Sequence, residues 1–178
     1  TGTGGAKLKN TTINSGGTLE ITGAALESGR NLTINAGGAF VVGAGVTQTI
    51  NYWSGSGDIS GDSTGTLRVQ NGTFSGSIAD ITIETVTNTI TMADGSTMEF
   101  TIGANGVSNS ITGTGGINLN GEFTFDLTGA DLTVGNQWLI VNIASLTETF
   151  GGTFSIDGFT ETDNVWSNGS NLEFSEAT

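Results

Sequence analysis

Three residue types are missing from this 178-residue sequence, and each absence excludes a kind of structure or chemistry. Without cysteine the chain forms no disulfide bond and has no thiolate chemistry. Without histidine it lacks the most common general base and transition-metal ligand. Without proline, no strand loses a backbone N–H donor, and this favours a stack of strands with nearly continuous hydrogen bonding.

Charged residues are also scarce, at 12% of the sequence against about 25% in an average domain. Seventeen acidic and four basic residues give a net charge of −13. The basic residues all lie in the first 68 positions, namely Lys7, Lys9, Arg30 and Arg68. This balance makes nucleic acids and anionic membranes poor partners, and it leaves cations, neutral glycans and other proteins.

Apolar residues make up 35% of the sequence and recur at alternate positions between glycine-rich segments. Met98, Phe100 and Ile102 form one such series, and Phe123, Phe125 and Leu127 form another. Period-two alternation over four to seven residues is typical of a strand with one buried face and one solvated face. We therefore predict an ordered all-β protein.

Internal repetition is the strongest pattern in the sequence. The segment 12–19 matches the segment 33–40 at five of eight positions, and a looser copy follows at 92–98. In each copy two apolar residues flank a turn that contains glycine, which supplies the positive φ of a tight corner. A second motif at 53–59 resembles 111–117, out of phase with the first.

A repeat of about 20 residues with short strands is the size of one solenoid coil. The predicted fold is therefore a single-stranded, right-handed parallel β-helix or β-solenoid over residues 1–120. The alternative is an antiparallel β-sandwich, which also uses short strands and glycine turns.

Residues 121–178 are predicted to form a C-terminal β cap, because most of the aromatic residues lie there. Large rings bury much area and suit the closure of an exposed core end. The aromatic residues of this region are Phe123, Phe125, Trp138, Phe150, Phe154, Phe159, Trp166 and Phe174.

Two parts of the chain carry resemblances to known families of exported proteins. The glycine-rich corner and strand at 112–119 resembles the autotransporter-associated β-strand repeat of exported bacterial passenger proteins. The segments 150–154 and 172–178 are similar to the end of exported proteins that carry a PEP-CTERM sorting signal. The resemblance implies export to the bacterial cell surface or the extracellular matrix, and it supplies no catalytic residues.

Candidate sites for chemistry are few, and we predict no enzyme activity and no cofactor. Asp58 and Asp62 are the nearest approach to a Ca²⁺ site, because carboxylates suit that ion, although ordinary turn formation also explains them. Paired carboxylates for glycoside hydrolysis would be Asp58 with Asp62, or Asp126 with Asp131. The threonines at alternate positions of 85–91 are expected on one strand face.

The leading functional hypothesis is a structural surface or matrix protein that self-assembles. No amphipathic cap comes before Gly4 and the alternating segment Lys7, Leu8 and Lys9. We therefore expect an open first coil, in which these residues form the assembly interface. The alternative is an adhesin-like module that binds surface glycans through its Asn, Thr and Ser side chains and through Tyr52 or Trp53. At most one of these two aromatic residues can face the core. No apolar run approaches the ~20 residues that span a membrane.

Overall fold

The structure, a computed structural model, describes residues 9–23, 25 and 30–175. Every regular element in this part of the chain is a β-strand, so the predicted all-β class is confirmed. In chain order the strands are β1 (Thr11–Ile13), β2 (Thr18–Ile21), β3 (Asn31–Ile34), β4 (Ala39–Val42), β5 (Thr47–Gly55), β6 (Asp58–Ser60), β7 (Thr66–Phe74), β8 (Ser77–Ala79), β9 (Thr82–Thr85), β10 (Thr89–Met92), β11 (Thr97–Thr101), β12 (Ile111–Gly113), β13 (Gly116–Leu119), β14 (Glu122–Asp126), β15 (Thr147–Phe150), β16 (Ser155–Ile156), β17 (Thr160–Thr162), β18 (Val165–Ser167) and β19 (Glu173–Ser175).

Sixteen of these strands form two parallel sheets. The first sheet has the order β1-β3-β5-β7-β10-β13-β15, with β9 pairing to β7 and β12 pairing to β9. The second sheet has the order β2-β4-β6-β8-β11-β14-β16. The chain passes back and forth between the sheets, and neighbouring strands within each run in the same direction. An antiparallel sandwich, the alternative fold, has the opposite strand pairing.

The register of the strands confirms the sequence repeats. Thr12 lies beside Thr33 and Ile13 beside Ile34 in the first sheet, as the offset of 21 residues predicts. The other end of the same repeat aligns in the second sheet, where Leu19 pairs with Phe40. Similar sequences therefore occupy neighbouring strands, and their apolar residues stack.

The core consists of the inward side chains of both sheets. Burial alternates along the strands, as in β10 and β11, where every second residue is buried. Trp53, Phe40 and Phe100 are fully buried, together with many branched aliphatic side chains. Met98, Phe100 and Ile102 of the first alternating series are all buried, whereas Phe125 and Leu127 of the second series are only partly buried.

The C-terminal region continues both parallel sheets before its topology changes. β15 pairs with β13 and β16 with β14, so the predicted division at residue 120 does not coincide with a change of sheet. The last strands, β17 to β19, form a separate antiparallel sheet. Trp166 and Phe174 of this sheet contact Phe154, with ring centroids 5.3 and 6.5 Å away.

One sequence expectation fails in the run 85–91. β9 ends at Thr85 and β10 begins at Thr89, so a turn interrupts the run. Thr85 is fully buried, whereas Thr87 and Thr89 are exposed. The four threonines therefore do not share one strand face, because residues 86–88 interrupt the alternation between β9 and β10, which follow one another along β7.

Candidate functional site

Of the residues predicted to form the assembly interface, only Lys9 falls within the described part of the chain, just before β1, the first strand of the first sheet. Gly4, Lys7 and Leu8 fall outside the described residues, and Lys9 is exposed close to Arg30. Among the described residues, no strand pairs with the outer edge of β1 or β2. The inward side chains Ile13 and Ile21 are only 6% and 3% exposed, so these two core residues are not open to solvent.

The two aromatic residues proposed for glycan contact have opposite environments. Trp53 is fully buried in the core, so the prediction that its ring contacts a glycan is wrong. Tyr52 is 40% exposed on the outer face of the first sheet, because adjacent strand residues point to opposite faces. Tyr52 is therefore the member of the pair that a ligand can reach.

Tyr52 belongs to a surface that the strand register assembles from distant parts of the chain. Thr12, Thr33 and Ser54 begin an outer row that runs across seven strands. We call this row and the parallel row beside it the neutral face, because none of its residues is charged. Its residues are Thr12, Asn31, Thr33, Tyr52, Ser54, Asn71, Thr73, Thr89, Thr91, Gly116, Asn118, Thr147 and Thr149.

Hydrogen bonds between neighbouring strands order part of this face. The hydroxyl groups of Thr33 and Ser54 are 2.9 Å apart. In the turn next to the face, the Asn35 side-chain amide donates to the Asn14 side-chain oxygen over 2.8 Å. These contacts fix side-chain orientations without ionic groups, so the surface offers uncharged donors and acceptors at regular intervals.

The outer face of the second sheet has a different character. Five acidic residues lie along its strands, namely Glu20, Asp58, Glu99, Glu122 and Asp126. Asp58 shares a row with Ser77, Thr97 and Glu122. The neutral face and the outer face of the second sheet are therefore unlike surfaces, one uncharged and one acidic, and this difference follows from register and not from overall composition.

Asp62 has a local structural role that accounts for its position. Its Oδ1 atom accepts hydrogen bonds from the backbone N–H and the hydroxyl of Thr64, at 3.1 and 2.9 Å. The hydroxyl bond from Thr64 is the main cause that lowers the pKa of Asp62. Asp126 and Asp131 bind Thr128 and Thr133 in the same way, and the pKa of each is also lowered.

These contacts match the turn interpretation of the acidic residues. A carboxylate that accepts two hydrogen bonds from the residue two positions ahead closes an Asx turn. Within the described part of the chain, no group of three or more His, Cys, Asp or Glu residues is placed to hold a metal ion. Ca²⁺ binding by Asp58 and Asp62 stays a prediction, as does the absence of catalysis.

Sequence patterns did not identify a cavity near the C-terminal sheet. It has a volume of about 410 Å³, and its lining includes Phe125, Trp138, Phe159 and Phe174. Leu139 also lines it and is 58% exposed, and the nearby loop residue Val134 is 99% exposed. The cavity depends on a loop and a sheet that are distant in sequence, so alternation within single strands could not reveal it.

Comparisons with known proteins add no relative to this picture. No protein-family model, no curated protein and no solved structure matches the chain. The resemblance to autotransporter and PEP-CTERM proteins therefore stays a prediction. The described residues contain no helix that is long and apolar enough to cross a membrane.

Proposed function

We propose that this chain is a non-enzymatic structural module of an exported bacterial protein, located at the cell surface or in the extracellular matrix. The module would be a β-solenoid that associates end to end with further copies. The observation that carries this proposal is the repeated passage of the chain between two parallel sheets. The sequence resemblance to exported passenger proteins agrees with it.

Strand connections support the winding. The turn from β3 to β4 contains only residues 35–38, and it joins a strand of the first sheet to a strand of the second. The return to the first sheet must then reach a strand parallel to β3, and β5 meets this condition. Repetition of this path in one sense would produce a coil, in which backbone hydrogen bonds run along the whole stack.

A structural role agrees with the surroundings of the acidic side chains. Asp62, Asp126 and Asp131 close turns, and Glu84 pairs with Arg68 across neighbouring strands, with 2.9 Å between Arg68 Nη2 and Glu84 Oε2. A hydrolase of the two-carboxylate type needs an acid and a second carboxylate free to reach the same substrate atom. Side chains used in turns and cross-strand pairs contribute to the fold instead.

Charge distribution supports association between the two ends of the stack. Lys9 and Arg30 are exposed near β1 and β3, at one end of the first sheet. After the last parallel strand the exposed charged residues are Asp157, Glu161, Asp163 and Glu173, and no basic residue follows Arg68. Contacts of the basic Lys9 and Arg30 side chains with the acidic side chains of another copy would favour a head-to-tail arrangement.

Analytical ultracentrifugation and electron microscopy would test end-to-end association. We expect linear oligomers at moderate ionic strength, which screens the repulsion between chains of net charge −13, and we expect higher salt to weaken the contacts of Lys9 and Arg30. The double variant Lys9→Gln, Arg30→Gln should need about tenfold more protein to associate, a difference of about 1.4 kcal/mol. Dispersed monomers at every salt and protein concentration would contradict self-assembly.

A matched control separates end contacts from overall charge. The double variant Thr47→Glu, Thr87→Glu changes the net charge by the same two units, and both threonines are exposed away from the end strands. We expect it to associate like the unmodified chain. Equal weakening by both double variants would show that general repulsion, and not an interface at Lys9 and Arg30, controls association.

A further inference from the structure

We propose that the neutral face binds an extended, uncharged polysaccharide. The inference rests on the proposed surface module, whose winding would hold the rows of this face side by side. It adds a ligand class and a binding surface to that structural role.

Charge decides the class of ligand. The chain carries a net charge of −13, so an anionic polymer would be repelled. A cationic ligand would be drawn to the outer face of the second sheet, where Asp58 and Glu122 share a row. The neutral face has no charged residue that would attract an anion or a cation. Binding there would depend on hydrogen bonds and van der Waals contact with an uncharged partner.

Tyr52 supplies the apolar contact that hydroxyl-rich ligands need. It lies between Asn31 and Asn71 in the second row of the face. Among the described residues, Tyr52 is the one aromatic residue whose side chain is exposed. The C–H groups of a sugar ring can pack on the face of an aromatic ring, which carries partial negative charge. The amide groups on either side are placed to exchange hydrogen bonds with the hydroxyl groups of the same sugar.

Spacing favours a polymer over a single sugar. The row from Thr12 to Thr149 crosses seven strands, which at ~4.8 Å for each interval corresponds to about 29 Å. Each polar contact would be weak, because it replaces hydrogen bonds to water. An extended chain that lies on this surface would engage many such groups at once, and the contacts add as in other multivalent systems.

Retention on insoluble polysaccharides tests this inference. The full chain would be mixed with microcrystalline cellulose and with chitin, and with calcium alginate gel as an anionic comparison. We expect retention on at least one neutral polysaccharide and little on alginate. Tyr52→Ser and Thr73→Lys should each weaken that retention about tenfold or more, through loss of ring contact and through an uncompensated charge at the centre of the face.

Ser77→Lys is the matched control, because Ser77 is an exposed residue of β8, in the middle of the second sheet, and the net charge changes equally. We expect it to be retained like the unmodified chain. Absence of retention on both neutral polysaccharides would overturn the inference, and so would equal retention of both face variants. Inhibition of ice recrystallisation that Thr73→Lys abolishes, without polysaccharide retention, would assign the face to ordered water instead.

The two proposals can fail separately. Sedimentation of each variant would show whether the chains still associate end to end, and circular dichroism would show whether the β structure is intact. If the unmodified chain does not associate but is retained on a neutral polysaccharide, the assembly proposal alone is removed. Association without retention on any neutral polysaccharide would remove the binding proposal alone.

Discussion

The buried rings of Trp53 and Phe74 stack across neighbouring strands, with centroids 5.2 Å apart and ring planes 23° from parallel. Each ring has a glycine beside it in the strand register. Trp53 pairs with Gly72, and Phe74 pairs with Gly55. Each large residue thus lies opposite a glycine of the neighbouring strand, and the two rings are diagonal neighbours. The glycines leave room for the rings in the core.

Gly72→Ala should therefore destabilise the protein strongly. A Cβ atom at this position would lie 2.2 Å from the Trp53 carbonyl oxygen, and the φ of Gly72 is +123°. Strain in the backbone and overpacking together predict a loss of about 3 kcal/mol in the free energy of unfolding. Urea denaturation followed by tryptophan fluorescence would measure it.

Gly95→Ala provides the control for that substitution. Gly95 has a φ of +77°, but a Cβ atom there would meet nothing within 4 Å. The only cost is then that of holding alanine at a positive φ, which predicts a loss of about 1 kcal/mol in the free energy of unfolding. Losses of the same size at Gly72 and Gly95 would show that contact with Trp53 does not limit position 72.

Thr85→Val should stabilise the protein. The Thr85 hydroxyl is fully buried and has no hydrogen-bond partner, in a row between Val69 and Gly113. Valine has nearly the same shape without the unpaired polar group, so we expect a gain of about 1 kcal/mol in unfolding free energy. Thr91→Val, at a half-buried outer position, should change it by less than about 0.5 kcal/mol.

Phe154→Ala should weaken the packing of the antiparallel sheet against the parallel sheets. The Phe154 ring contacts Phe123, Phe150 and Trp166 at centroid distances of 4.9, 4.7 and 5.3 Å. Removal of a buried ring of this kind costs about 3–5 kcal/mol. Thermal unfolding would measure the loss of stability. Val134→Ala is the control, because Val134 is 99% exposed, and it should change the free energy of unfolding by less than about 0.5 kcal/mol.

The Asp62 turn predicts a specific pH response. Because its folded pKa is lowered, the turn contributes to stability above the unfolded pKa of about 3.9 and loses that contribution as the pH falls through the folded value. Thr64→Val should raise the carboxyl titration midpoint, whereas Thr64→Ser should preserve it. Carbon-detected NMR titration would measure both. An unchanged midpoint in Thr64→Val would disprove the role of the hydroxyl.

Much of the fold follows from patterns within short segments. The repeat that aligns Ile13 with Ile34 and Leu19 with Phe40 becomes direct strand pairing. The two copies of the second motif do not pair with each other. Gly55 and Gly113 occupy the same place in the motif and have similar φ values, 110° and 119°, but they lie in different rows. That similarity reflects one kind of corner used twice and not equivalent strands.

The surfaces could not be predicted in the same way. Alternation shows that Tyr52 and Trp53 point to opposite faces, but it does not show which of them is buried. The neutral face requires the register between strands that lie 18 to 31 residues apart, for example Thr73 with Thr91 and Asn118 with Thr149. Where the spacing departs from 21 residues, no local pattern fixes that register.

These unequal spacings have a consequence for how such a sequence can vary. The exposed parts of the longer connections are the loops 104–107 and 131–135, which lie outside the rows that they link. A gain or loss of residues in these loops leaves Thr91, Asn118 and Thr149 aligned. We therefore expect length polymorphism among natural variants to concentrate in these two loops, and a peptide epitope grafted at Val134 to be displayed without a shift of strand register.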